Sequence, residues 1–259
     1  MTPFNIVIPA RFASTRLPGK PLKKLNGITL IEHVYNAASK TDAEQIIVAT
    51  DNKDILDTVN SFGGKAVMTR SDHPSGTDRI HEVACIQNWK PSTIVVNLQG
   101  DEPLVQAENI HTLVESLANN DNADMSTLAM PFQNMCDVVD PNNVKVVLDN
   151  NNFALYFSRS PIPWLRDSYT TDILTNPSIS LPEIPIYAHI GLYAYRVQTL
   201  KKFATLKPSA LEQAESLEQL RILSNGMKII VSVSKLAESK GVDTPEDLLA
   251  VEKILKSTN

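Results

Sequence analysis

What most constrains this chain is a set of short, unbroken apolar runs, each followed by a stretch long enough for a helix. Ile6-Val7-Ile8 and the segments 45–50 and 93–98 lack the polar alternation of a half-exposed strand. Unbroken runs of this length mark strands covered on both faces. Strands are expected at 4–9, 45–50, 65–68 (after the Gly63-Gly64 turn) and 93–98, with helices near 30–39, 54–62 and 77–89. This β-α-β-α-β alternation predicts a mainly parallel sheet wrapped by helices, an α/β fold. The long strands run out at Pro9, Asp51 and Gln99-Gly100-Asp101. In open α/β sheets, ligands bind beyond the carboxyl ends of the strands, so the chemistry is sought there.

The second half is less regular. Strands are expected at 144–149 and 153–158, joined by a turn at Asn150-Asn151-Asn152, and again at 189–196 and 228–234. A single helix is expected over 212–224, stopped by Asn225-Gly226. Residues 161–185, rich in Pro, Ser and Thr, read as a long loop. The last helix should open at Thr244-Pro245-Glu246-Asp247, with Thr244 as cap, Pro245 in the first helical position and Asp247 returning the capping bond.

With 42% hydrophobic residues in 259, the chain can bury one large core or two small ones. A net charge of −5 argues against nucleic acid as a partner, because its binders carry an excess of Lys and Arg. Cys85 and Cys136 are too few for a disulfide framework or a tetrahedral zinc site, and are expected as free, mostly buried thiols. No apolar run is long enough to span a bilayer, and no charged-then-apolar leader opens the sequence, so a cytoplasmic, membrane-free setting is expected.

Three clusters carry candidate chemistry. The loop leaving the first strand, residues 9–22, holds Arg11, Ser14, Arg16, Gly19 and Lys20. A nucleoside triphosphate bears roughly four negative charges, the load that Arg forks and Lys point charges stabilise during phosphoryl transfer. The same composition also suits a solvated basic loop. Gly19-Lys20 is followed by Pro21 and lacks the upstream glycine of a P-loop, and no G-x-G-x-x-G follows the first strand. The second cluster, Asp72 to Arg79, includes His73, Ser75 and Gly76 and opens a helix, whose terminal amides favour an anion or a base edge. Alone, it is also a well-capped helix start. The third, Gln99-Gly100-Asp101-Glu102-Pro103, puts Asp101 at the sheet's carboxyl edge, where a carboxylate can hold Mg²⁺ beside phosphates or simply make a turn. His189 and Tyr193 are four residues apart, so in a regular strand their side chains share a face. A lone histidine there is equally compatible with a hydrogen-bonded core.

Taken together, these clusters resemble the CMP-KDO synthetases, the 3-deoxy-manno-octulosonate (KDO) cytidylyltransferases of lipopolysaccharide assembly. The resemblance also covers Ala154 to Arg159, His189 to Tyr193, Glu215 to Arg221 and Gly241 to Leu248, in the same order along nearly the whole chain. It implies a nucleotide-diphospho-sugar transferase-like three-layer fold with a mostly parallel mixed sheet. The chain would be a single α/β nucleotidyltransferase domain over 1–259, with about 125–200 contributing a smaller sugar-binding and dimerisation lobe. The implied reaction joins CTP and KDO into CMP-KDO and pyrophosphate, in a homodimer, with Mg²⁺. By position, Arg11, Ser14, Arg16 and Lys20 would embrace the triphosphate. Ser75 and Arg79 would lie near the cytosine and ribose. Asp101 and Asp243 would hold Mg²⁺ at the α-phosphate, and Arg11, Lys20, Asp101 and Asp243 form the implied catalytic set. Gln99, Arg159, His189, Tyr193 and Glu215 would line the sugar-acid pocket.

Two other readings stay open on the sequence alone. One is a cytidylyltransferase for a related sugar acid, amino-KDO or sialic acid, since the 9–22 loop serves the whole superfamily. The other is a non-catalytic nucleotide-binding protein, which would not need both Asp101 and Asp243 for a metal.

Overall fold

In the computed structural model, the unbroken runs become the middle of one mixed sheet. The structure describes residues 2–13, 17–166, 169, 181, 183–234, 236 and 241–257. Strand β1 (Phe4–Ala10) carries Ile6, Val7 and Ile8 at 0% exposure each. Successive side chains on a strand point to opposite faces, so full burial of all three requires cover on both sides. Ile6 and Ile8 enter one core with Val96 and Leu98; Val7 enters another with Ile47, Ala49 and Val95. Burying each such side chain contributes about 1.5–3 kcal/mol, which is why the run reads as a central strand.

Chain order gives the rest. A short hairpin, β2 (Lys24–Leu25) and β3 (Ile28–Thr29), leads into helix α1 (Leu30–Ala38), strand β4 (Gln45–Thr50), helix α2 (Lys53–Ser61) and strand β5 (Lys65–Met68). Then come α3 (Gly76–Ile86), β6 (Ile94–Asn97), α4 (Ala107–Ala118), β7 (Met125–Pro131), α5 (Met135–Val139), β8 (Lys145–Leu148) and β9 (Ala154–Ser158). The long strand β10 (Tyr187–Arg196) is followed by α6 (Val197–Phe203), α7 (Ala210–Glu215), α8 (Gln219–Ser224), β11 (Ile229–Val233) and α9 (Pro245–Ser257). The sheet order is β11-β7-β10-β6-β1-β4-β5, and the hairpin β8–β9 joins through β10. Along that path only β10 runs against its neighbours. Helices α1, α2 and α4 cover one face and α3, α6 and α8 the other, giving three layers.

Several expectations change. The single helix expected over 212–224 is two, α7 and α8, because Ser216 takes a left-handed backbone (φ 52°) and turns the chain between them. Both cysteines are exposed, not buried: Cys85 and Cys136 lie on the outer faces of α3 and α5. Helices α4, α5 and α6 and strand β7 were not anticipated from the sequence. The cap of α9 forms as expected, with Thr244 Oγ1 accepting from the Asp247 amide at 3.1 Å and Asp247 Oδ2 accepting from the Thr244 amide at 2.9 Å. Among the described residues no helix is long and apolar enough to cross a membrane.

Candidate active site

Two backbone features bring the first and third clusters together. Gly19, at φ +66°, closes the loop after β1: its amide donates to the Phe12 carbonyl at 3.2 Å, and a short 3₁₀ turn then presents Lys20. Gly100 follows β6 so closely against β1 that a Cβ there would lie 2.9 Å from the Pro9 carbonyl oxygen. Only glycine permits that approach, and it delivers Asp101 to the same edge as Arg11. From the far end of the chain, the Val242 amide donates to the Asp101 carbonyl at 2.9 Å, which sets Asp243 beside Asp101.

These three segments enclose a cavity of about 390 Å³ lined by Arg11, Lys20, Gly76, Gln99, Asp101 and Asp243, among others. Lys20 Nζ donates to Asp101 Oδ2 at 2.5 Å and to Asp243 Oδ1 at 3.0 Å. Burial lowers the Lys20 pKa, but the two carboxylates outweigh it and hold it above its ordinary value. Arg11 donates from Nη2 to the His73 carbonyl at 2.8 Å, and His73 itself is paired with Glu82. The paired carboxylates are a hard oxygen donor set already gathered around one positive charge, the arrangement that accommodates Mg²⁺ together with phosphate oxygens and waters. Ser14 and Arg16 lie outside the described residues.

The second cluster divides. Gly76 lines the cavity, whereas Ser75 caps α3, accepting from the Asp78 amide at 3.2 Å and donating to Asp78 Oδ2 at 2.7 Å. Arg79 is fully buried behind it, donating to Asp51 Oδ2 at 2.7 Å and to the Thr69 hydroxyl. The structure therefore does not bring Ser75 and Arg79 to the lining that Arg11, Lys20 and Asp101 share.

Gly76 and Gln99 are common to this cavity and to a smaller one of about 160 Å³, bounded by Thr77, Asn97, Tyr193, Tyr195, Glu218 and Gln219. Tyr193, Glu218 and Gln219 in turn belong to a third cavity of about 310 Å³, which adds Asn142, Asn143 and His189. The three adjoin as one cleft leading from the ends of β1 and β6 across β10. His189 and Tyr193 meet there with ring centroids 5.4 Å apart, although not because β10 is regular. Against β7, His189 pairs with Ala129 and Tyr193 with Thr127, so four steps on β10 match two on β7. The extra residues are absorbed at the irregularity between Ile190 and Tyr193, which shortens the spacing to that of an i, i+2 pair, roughly 7 Å along the strand. Thr127 Oγ1 lies within hydrogen-bond distance of the carbonyls of Ile190 and Leu192, at 3.1 and 2.9 Å, and of His189 Nε2 at 2.9 Å, so one hydroxyl ties the irregular stretch of β10 to the imidazole. Burial pushes His189 down to about 3, and the ring is neutral near pH 7.

A model of the family described as cytidylyltransferase matches residues 5–229. The chain belongs to the cytidylyltransferase family. It is 38% identical to a solved CMP:2-keto-3-deoxy-manno-octonic acid synthetase complexed with CTP, with 100% of both chains covered and a TM-score of 0.89. A cytidylyltransferase from Leptospira borgpetersenii serovar Hardjo-bovis (strain JB197) shares the fold at 16% identity and TM-score 0.61, over 98% of this chain and 87% of that one. So does a Bacillus anthracis protein assigned as a glucose-1-phosphate thymidylyltransferase, solved with a sucrose, at 16% identity and TM-score 0.65, over 99% and 96%. The mostly parallel three-layer architecture is thus that of nucleotidyltransferases, and this cytidylyltransferase is an enzyme of that class.

In this cytidylyltransferase Arg159 and Glu215 hold each other outside the cleft lining. The Arg159 amide donates to Glu215 Oε2 at 2.8 Å, and its Nε donates to the Glu215 carbonyl at 2.7 Å. Several lining residues were not nominated from the sequence, Asn97, Asn142, Asn143, Tyr195, Glu218 and Gln219 among them. Burial raises the Glu218 pKa, with hydrogen bonding to Thr77 and Ser75 working the other way, and Gln219 Nε2 is buried without a hydrogen-bond partner among the described residues. A buried amide left unpaired beside a cavity is the sign of a group built to meet a ligand or ordered water. Glu218 and Gln219 stand as a polar pair between Leu217 and Leu220, inside the Glu215–Arg221 stretch that carries the resemblance, but nothing there gave them a role.

Proposed function

We propose that this enzyme is a CMP-KDO synthetase, transferring CMP from CTP to KDO with release of pyrophosphate, in the cytoplasm and for lipopolysaccharide assembly. The observation that carries the reading is the 38% identity, over the full length of both chains, to a CMP:2-keto-3-deoxy-manno-octonic acid synthetase complexed with CTP. The cleft supports it chemically. Its cationic end, with Arg11 and Lys20, suits the triphosphate, and its far end, with His189, Tyr193, Glu218 and Gln219, suits a polyhydroxylated sugar acid. Gln99 borders the junction, where the anomeric hydroxyl would meet the α-phosphorus.

Asp101 and Asp243 would hold Mg²⁺. When bound, the ion supplies charge neutralisation at the phosphates and lowers the pKa of the attacking hydroxyl. Arg11 and Lys20 orient the triphosphate and offset the charge that grows on pyrophosphate as the α-phosphorus bond to it breaks. Neutral His189, with Nε2 committed to Thr127, keeps Nδ1 for a hydrogen bond with a sugar hydroxyl.

The reading includes a homodimer. Leu155, Trp164 and Ile184 are 60, 57 and 64% exposed, large apolar side chains of the kind a second copy would cover.

The test is pyrophosphate release from CTP, UTP, ATP and GTP in turn, with Mg²⁺, with and without KDO. Release should require KDO and be fastest with CTP. Turnover with sialic acid or amino-KDO in place of KDO would move the reading to that acid, and equal rates with all four triphosphates would remove the cytidylyl assignment.

A further inference from the structure

Lys145 carries a charge that the proposed reaction does not use, in a place where a charge is costly. It lies on β8 and is 0% exposed. Its Nζ donates to the main-chain carbonyls of Asp140 at 3.1 Å, Asn143 at 2.6 Å and Arg159 at 2.5 Å. An ammonium has three hydrogens, and all three are committed to backbone acceptors. The carbonyls come from two separate segments, residues 140–143 and the chain just past β9.

The first segment also serves the cleft. Asn142 and Asn143 form a wall of the 310 Å³ cavity beside His189. Pro141, between the anchored residues, accepts from Arg159 Nη1 at 2.9 Å. Arg159 is gripped from its other side by Glu215. A single buried ammonium thus ties the cavity wall to the Arg159 backbone. An apolar side chain of similar size would fill the same volume and leave three carbonyls without donors.

We propose that Lys145 is a positioning residue for the sugar-acid end of the cleft, its ammonium fixing the Asn142–Asn143 wall against the Arg159 backbone. The proposal rests on reading the 310 Å³ cavity as the place of the sugar acid. The clamp works only in its charged form, because a neutral amine has two hydrogens for three acceptors. Burial pushes Lys145 down to about 8; facing it, Asp140 and Glu215 raise the value and Arg159 lowers it. The clamp therefore loosens over a range in which Lys20, whose pKa is raised, stays charged.

The experiment measures KM for KDO at saturating CTP, and KM for CTP at saturating KDO, from about pH 7 to 9.5, on wild type and Lys145→Met. In the wild type, KM for KDO should rise about tenfold or more across that range while KM for CTP changes less than about twofold. In Lys145→Met, KM for KDO should already be raised about tenfold at neutral pH and lose its pH dependence. A wild-type KM for KDO that is flat with pH, with turnover intact, overturns the proposal whether or not the variant folds. So does a variant in which both KM values rise together, the signature of a general loss of structure. No pyrophosphate release with KDO at any pH would overturn the functional reading itself and this proposal with it.

Discussion

Lys20 and Asp243 are 223 positions apart in the chain and 3.0 Å apart in space. Asp101 binds the same ammonium at 2.5 Å, so one cation holds together the loop after β1, the end of β6 and the entry to α9. Removing it leaves two carboxylates facing each other. Lys20→Ala should melt at a lower temperature than wild type in Mg²⁺-free buffer, and Mg²⁺ should restore most of the difference. Pyrophosphate release at subsaturating CTP should fall by about 10- to 100-fold, equivalent to ~1–3 kcal/mol. An unchanged rate there would reduce Lys20 to a structural tie.

Asp243→Asn separates a metal ligand from a helix-end charge. The backbone amide of Asp243, which donates to Asp247 at 3.1 Å, is unaffected by the change, so α9 keeps its cap. The melting temperature should stay close to wild type while turnover drops at least ~100-fold, about 2.7 kcal/mol of transition-state stabilisation. CTP affinity should suffer less, because Arg11, Lys20 and Asp101 remain. Near-normal turnover at saturating Mg²⁺ would sink the ligand assignment.

Gly100→Ala pushes a methyl group to 2.9 Å from a backbone oxygen, which cannot swing aside as a flexible side chain would. β6 and β1 must then separate locally, at a cost of ~1–3 kcal/mol, and Asp101 moves with them. Both the unfolding free energy in urea and kcat should fall. A fully active, equally stable variant would mean that the two strand ends part easily.

His189 links stability to pH. The unfolded imidazole titrates near 6.5 and the folded one near 3, so below 6.5 the unfolded state binds more protons. This contribution to stability is complete above pH 6.5 and is lost as pH falls from there toward 3. Urea unfolding of wild type and His189→Gln at pH 7, 6 and 5 should show a shallower pH slope for the variant. Identical slopes would mean that the imidazole is hydrated in the folded protein.

Light scattering at micromolar concentration should give the mass of two chains, and Ile184→Asp should shift the protein toward one. A wild-type monomer under those conditions would count directly against the homodimer.

Much of the sheet was legible because burial on both faces leaves a mark on every residue of a strand, as in Ile6-Val7-Ile8. The α9 cap was legible because Thr244 and Asp247 satisfy each other's backbone locally. Helix α4 carries Ile110, Leu113, Val114 and Leu117 at helical spacing, but its N-cap Gln106 makes no side-chain capping bond, so no start signal announced it. The break between α7 and α8 was hidden because Ser216, an ordinary residue by composition, adopts a conformation usually left to Gly or Asn. Lys20, Asp101 and Asp243 could be nominated from the sequence, but their convergence on one ammonium depends on Gly100 and on the Val242–Asp101 backbone bond. Glu218 and Gln219 reach the cleft only through the fold.

The two extra residues of β10, Gly191 and Leu192, set a conflict between a better strand and a working pocket. Deleting them would let β10 run in step with β7 and regain an even ladder. It would leave Tyr193 two places from His189 and still opposite Thr127, but it would take Gly191 from the lining of the 310 Å³ cavity and Leu192, fully buried, from the core. A family member trimmed in that way would keep its ring pair and lose part of the wall around it, so selection for catalysis has to preserve a flaw in the sheet.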